Sequence, residues 1–209
     1  MTRFRDRAAA GDALAEALAA RGLRNPVVLA LPRGGVPVAA PVAKRLGAPL
    51  DLLIVRKIGV PRQPELAAGA VADGGEIVVN DAIAARFGLD RRALEALAEA
   101  ERAEIARRRA VYLRGRPPVP VAGRTAILVD DGIATGATMR AALAVLRQRR
   151  PARLVLAVPV ADEDVLRELD ADETVCLQRS LLHGAVGASY ADFAQLEDAE
   201  VTRLLDAAG

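Results

Sequence analysis

Short apolar runs at 27–31, 52–55, 127–129, 153–160 and 173–177 alternate with helical stretches at 36–46, 137–149 and 163–169, and this alternation restricts the chain to few architectures. The runs are continuous and rich in β-branched residues instead of switching apolar and polar, as strands buried on both faces do. The pattern predicts an α/β fold, a mainly parallel sheet flanked by helices on both faces. In such sheets ligands gather beyond the carboxyl ends of the strands, so the segments that follow the apolar runs are the places to look for chemistry. Further helices are predicted at 6–21, 81–87, 90–113 and 197–207, with a Pro-rich connector at 116–123. A strand pair at 68–72 and 76–80 would embrace the turn Asp73-Gly74-Gly75. The Gly/Pro-rich stretch 59–75 reads as turns and mobile chain, part of it a lid.

The segment TAILVDDGIATGATM, 125–139, carries the most chemistry. An apolar strand meets two adjacent carboxylates, Asp130 and Asp131, and then a Gly-punctuated loop that opens a helix. Unpaired amides at a helix start, with the peptide dipoles behind them, favour an anion, so a phosphate suits Ala134, Thr135, Gly136, Ala137 and Thr138. The carboxylates are acceptors for vicinal hydroxyls and can lie near a cation. A ribose 5-phosphate offers both ends. A P-loop reading of the two acids fails, because the chain contains no G-x-x-x-x-G-K-[ST] run.

Two more loops follow strands. Leu31-Pro32-Arg33-Gly34-Gly35 follows the first run, and its paired glycines would let amides approach a ligand while Arg33 offers a fixed donor fork for diphosphate oxygens. Pro32-Arg33-Gly34-Gly35 also suits an ordinary tight turn. Arg56-Lys57-Ile58-Gly59 follows the run 52–55. The chain has only two lysines, Lys44 and Lys57, among 29 basic residues, so a lysine beside an arginine at a strand end points to a compact ammonium in an anion site.

A formal charge of +2, with acids and bases interspersed, predicts neither a nucleic-acid nor a membrane surface. The cluster Arg107, Arg108, Arg109, Arg114 and Arg116 reads as a solvated helix face, with Glu104 and Arg108 spaced as an i,i+4 pair. No signal-type segment or run of about 20 apolar residues is present, and the cytosol is the expected compartment. One cysteine, Cys176, and one histidine, His183, supply neither an internal disulfide nor a metal cluster.

Segment 125–139 resembles the phosphoribosyl-diphosphate signature of the type I phosphoribosyltransferases, with Asp130, Asp131 and Thr135-Gly136-Ala137-Thr138 matching its acidic pair and Thr-Gly-x-Thr loop. The PRGG, RKIG and QPELAAGA segments are similar to a bacterial subgroup of that family. The resemblance implies one domain over 1–209, with a core at about 27–180 and a small hood from about 181–196 plus N-terminal residues. It implies an Mg2+-dependent transfer of the 5-phosphoribosyl group from phosphoribosyl diphosphate (PRPP) to a nitrogenous base, as in nucleotide salvage. Lys57, Asp130 and Asp131 would be catalytic, residues 134–138 would hold the 5-phosphate, and Arg33, Gly34, Gly35, Arg56 and Lys57 the diphosphate. Asp130 and Asp131 would meet the metal largely through PRPP, with Asp192 a further candidate. His183, Val186, Tyr190 and Phe193 would form the acceptor pocket, unless the two rings plug the end of the core. Ala134 stands where the hypoxanthine-guanine branch has an aspartate able to act as base. That difference keeps two alternatives open, a PRPP- or nucleotide-sensing regulator without catalysis and a PRPP hydrolase; homodimer formation is also open.

Overall fold

The computed structural model describes residues 3–180 and 184–208. Its centre is a five-stranded, all-parallel sheet of β1 (Pro26–Ala30), β2 (Leu50–Leu52), β6 (Thr125–Val129), β7 (Arg153–Val160) and β8 (Glu173–Gln178), in the order β2-β1-β6-β7-β8. A three-stranded antiparallel sheet of β3 (Val55–Val60), β4 (Gln63–Ala72) and β5 (Ile77–Val79) lies between β2 and β6 in the chain. Seven helices accompany them among the described residues: α1 (Arg7–Ala19), α2 (Gly35–Leu46), α3 (Asp81–Arg86), α4 (Arg91–Leu113), α5 (Ala137–Gln148), α6 (Glu163–Arg167) and α7 (Asp198–Ala208).

The continuous apolar runs are explained by two cores, one on each face of the parallel sheet. Side chains alternate along a strand, so Val28, Ala30, Ile127 and Val129 meet α1, α2 and α7, while Val27, Leu29, Leu128 and Leu156 meet α5 and α6. Leu128 is fully buried, and its truncation to alanine would cost about 2–5 kcal/mol. After β1 the chain crosses by α2 to β2 on one side. After β6 it crosses by α5 to β7 on the other. The loops leaving β1 and β6 therefore part at neighbouring carboxyl ends, which opens a crevice between them.

Two expectations need correction. The strand predicted at 52–55 is β2 at Leu50–Leu52, and Arg56-Lys57-Ile58-Gly59 is no loop at the parallel sheet's edge but part of β3. The stretch 59–75, read as turns, is mostly strand: Val60 pairs with Gln63 across the two-residue turn Pro61-Arg62, and β4 runs on to Ala72. Pairing partners and the packing of α4 against this hairpin outweigh the local Gly and Pro content.

At the other end of the site, Phe4 bridges to Tyr190, and the amides of Ala191 and Asp192 donate to the carbonyls of Phe4 and Arg5. The N-terminal segment and residues 189–192 are thereby tied together just before α1. Asp6 caps that helix by accepting from the Ala9 amide.

Candidate functional site

The crevice between β1 and β6 is lined by two loops in contact. Beyond β1 the Leu31 amide still donates to the Val129 carbonyl at 3.0 Å, and the chain turns through a cis Pro32-Arg33 peptide into α2. A side chain at position 34 would have its Cβ 2.2 Å from Asp131 Oδ2, and one at position 35 would lie 2.7 Å from the Val129 carbonyl oxygen. Glycine at both places is what lets the Arg33 loop close onto the acidic pair.

Asp130 and Asp131 have few partners for their depth. Asp130 accepts from the Asp131 amide at 2.9 Å, and its pKa lies well above the usual aspartate value because burial and then the neighbouring Asp131 charge disfavour ionisation. Asp131 is raised by burial too, with the Arg7 guanidinium opposing. Arg7 Nε donates to Asp131 Oδ2 at 2.8 Å, and the Tyr190 hydroxyl donates to the Asp131 carbonyl. A cavity of about 420 Å³ opens among Arg7, Arg33, Gly34, Asp130, Asp131 and Phe193. A larger groove of about 950 Å³ lies between α1, α2 and α7 and includes neither acid of the pair.

The loop after Asp131 is pinned by Ile133, whose amide donates to Val160 and whose carbonyl accepts from Asp162. Gly136 then takes a left-handed conformation, φ +73°, to start α5, and no side chain among the described residues caps that start. The first backbone bond of the helix runs from the Arg140 amide to the Gly136 carbonyl, so the amides of its first turn have no acceptor within the helix. Ala134, Thr135, Ala137 and Thr138 are exposed around it. The start of a twelve-residue helix with free amides can seat an anion, and Thr135 and Thr138 carry hydroxyls able to donate to it.

The other predicted residues are distributed less favourably. Arg33 lines the cavity and stands 3.7 Å from Asp198. Arg56 is ion-paired with Glu101 at 2.8 Å, Lys57 is exposed on β3 opposite Ala70, and neither lines the cavity. Tyr190 is buried at 3% exposure and forms a wall under Asp131, so its ring offers no face for a base to stack on. Phe193 is 37% exposed, and Arg7 Cζ sits 3.7 Å over its ring. Val186, partly buried in a 3-10 turn (Val186–Ser189), packs against Gly132. Asp192 caps a turn, accepting from the Ala194 amide at 3.0 Å. His183 lies outside the described residues. Arg7 is the site residue that sequence reasoning missed, and Asp6, a cap just ahead of it, is the sole local signal that fixes its place.

A family model described as "Phosphoribosyl transferase domain" matches residues 4–192. Two Mycobacterium tuberculosis proteins bearing phosphoribosyl transferase names are 48% identical over 210 residues, covering 100% of this chain and 47% of each relative. The chain thus spans about half the length of the curated relatives it matches. The crystal structure of TT1426 from Thermus thermophilus is 49% identical, covers 98% of both chains and superposes with a TM-score of 0.87. A Neisseria gonorrhoeae protein crystallised with bound ppGpp is 13% identical, with a TM-score of 0.50 over 99% of this chain and 96% of that one, a likeness of fold alone.

Proposed function

The chain belongs to the phosphoribosyl transferase domain family, and on that premise we propose that it moves the 5-phosphoribosyl group from PRPP to a nitrogenous base and releases diphosphate. The observation that carries this reading is the closure of Gly34-Gly35 onto Asp130-Asp131 beside the uncapped start of α5. One crevice then offers acceptors for the ribose hydroxyls, amides for the 5-phosphate, and Arg33 with the Gly34-Gly35 loop for the diphosphate. Adjacent hard oxygen donors at 130 and 131 suit Mg2+. Among the described residues no group of three or more His, Cys, Asp or Glu could hold a metal, so most ligands of such an ion would come from PRPP and water. Bound there, Mg2+ would neutralise charge on the diphosphate.

In the proposed step the C1–O bond breaks and its electron pair leaves with the diphosphate. The acceptor nitrogen forms the new C1–N bond from the opposite face and gives up its proton to solvent, since Ala134 offers no base. Arg33 and the loop amides stabilise the charge that develops on the leaving group. The tip of the β3–β4 hairpin, around Pro61-Arg62, is the proposed lid that excludes water from the cationic sugar, and Lys57 on β3 is the proposed cation for the departing diphosphate. No helix among the described residues is long and apolar enough to cross a membrane, and we place the reaction in the cytosol as part of nucleotide salvage or related metabolism.

The test is diphosphate release from PRPP with Mg2+ and a panel of bases. Release that depends on one base supports transfer, and base-independent release shows a hydrolase. Thermal stabilisation by PRPP without turnover, about 2.7 kcal/mol at a hundredfold excess over Kd, shows a sensor.

A further inference from the structure

Arg7 is held by three contacts. Nε donates to Asp131 Oδ2 at 2.8 Å, Nη1 donates to the Ala194 carbonyl at 2.9 Å, and Cζ lies 3.7 Å over the Phe193 ring. Its side chain is 11% exposed, and it lines the cavity that holds the acidic pair. A guanidinium carries five N–H donors and no acceptor. The two bonds use two donors, and Nη2 has no partner among the described residues. The result is a nearly desolvated cation, fixed in place, with donors to spare where Phe193 and Ala194 line the cavity, whose Arg33, Gly34 and acidic pair the proposed function gives to PRPP.

Such a group discriminates by chemistry. A ring that presents a carboxylate or carbonyl oxygen completes the unused donors with charge-assisted bonds. A ring that presents an amino edge sets donor against donor and leaves the guanidinium's unused donors without a ligand acceptor. The guanidinium also covers a face of Phe193, so a ring enters against Arg7 and not against that face of the phenyl.

We infer that Arg7 determines acceptor specificity, and that the acceptor is a planar ring presenting an oxygen edge, not an amino edge, to the cavity. The inference rests on the transferase reading only in calling this ligand the acceptor. Orotate, nicotinate, uracil, adenine and 2-aminopyrimidine, titrated by saturation-transfer NMR into the wild-type chain and into Arg7→Gln and Arg7→Lys, test it without requiring turnover. At least one oxygen-edged ring should bind at least about tenfold tighter than either amino-edged ring, about the worth of one charge-assisted bond. Arg7→Gln should lose that preference, and Arg7→Lys, which keeps the charge, should recover part of it. Equal or tighter binding of the amino-edged rings, no ring bound at all, or an unchanged ranking in Arg7→Gln would overturn the inference. Calorimetry with PRPP alone keeps the two readings apart: ring selectivity without PRPP association sinks the transferase and leaves Arg7 its role.

Discussion

Two centres in this molecule bury pairs of carboxylates, and they are finished differently. Asp51 accepts from the amides of Leu52 and Val119, both at 2.8 Å, and faces Arg109 at 3.4 Å. Asp73 accepts from Arg109 and, at 2.7 Å, from Arg149, which also holds Glu76. Asp130 and Asp131 share one amide and one arginine between them. Burial raises Asp73 while Arg149 and Arg109 oppose it; it raises Asp130, where the strongest neighbour is another acid. A saturated ionic centre has nothing left to offer a ligand, and it ties β2, the β4–β5 turn, α4 and α5 together. The under-partnered centre keeps acceptors in reserve, as the proposed substrate site requires.

The sharpest way to break this contrast is Asp73→Ala, which leaves Arg109 and Arg149 buried without their shared acid. It should cost about 3–5 kcal/mol, on the order of 10 °C in Tm for a chain of this size, as read by calorimetry. The additional Tm rise from PRPP should survive. A Tm within a degree or two of wild type would mean that the saturated centre contributes little.

Next in size are the changes at the site. Asp130→Asn and Asp131→Asn should each lower diphosphate release at least about tenfold. Asp130→Asn should leave Tm unchanged or raise it, because it removes a buried charge beside a like charge. A loss of stability like that of Asp73→Ala would place both centres in the same structural class. Lys57→Ala should also slow release by about tenfold. Unchanged turnover would remove Lys57 from the mechanism.

The sequence was most readable where function and local geometry coincide. The segment 125–139 is contiguous, and its strand, acids, glycine and helix start all appear in the structure in that order. Gly34 and Gly35 were readable as close-approach glycines, although what they approach, Asp131 and Val129, is distant in sequence. Arg7 was invisible because its partner lies 124 residues away and nothing in its own turn of α1 signals a site. Lys57 is misplaced by the sequence because the apolar run 52–55 reads as one strand ending before it, whereas β2 stops at Leu52 and β3, paired with β4, begins at Val55. The arginine run on α4 shows the same limit within one turn. Arg107 and Arg108 are the surface residues their helix suggested, both bonded to Glu104, whereas Arg109 turns inward to Asp73 and Asp51. Helical periodicity assigns them to different faces, but only the packed structure puts an acid under one of them.

The smallest expected effect is the surface counterpart of Asp73. Glu104 accepts from Arg107 at 2.8 Å and from Arg108 at 2.7 Å, and those bonds lower its pKa to about 2. A carboxylate whose folded pKa is below its unfolded value stabilises fully above the unfolded pKa, 4.5 here, and loses that contribution as pH falls toward 2. The Tm difference between wild type and Glu104→Gln should therefore be constant above that unfolded value, shrink as pH falls, and vanish only below about 2. Because both arginines also face water, the difference should be small at every pH and fall further in 0.5 M salt, a concentration at which the screening length is roughly 4 Å. A large, salt-insensitive loss would show that solvent access does not separate Arg107 and Arg108 from Arg109, and the contrast between paired surface charge and buried ionic centre would have to be redrawn.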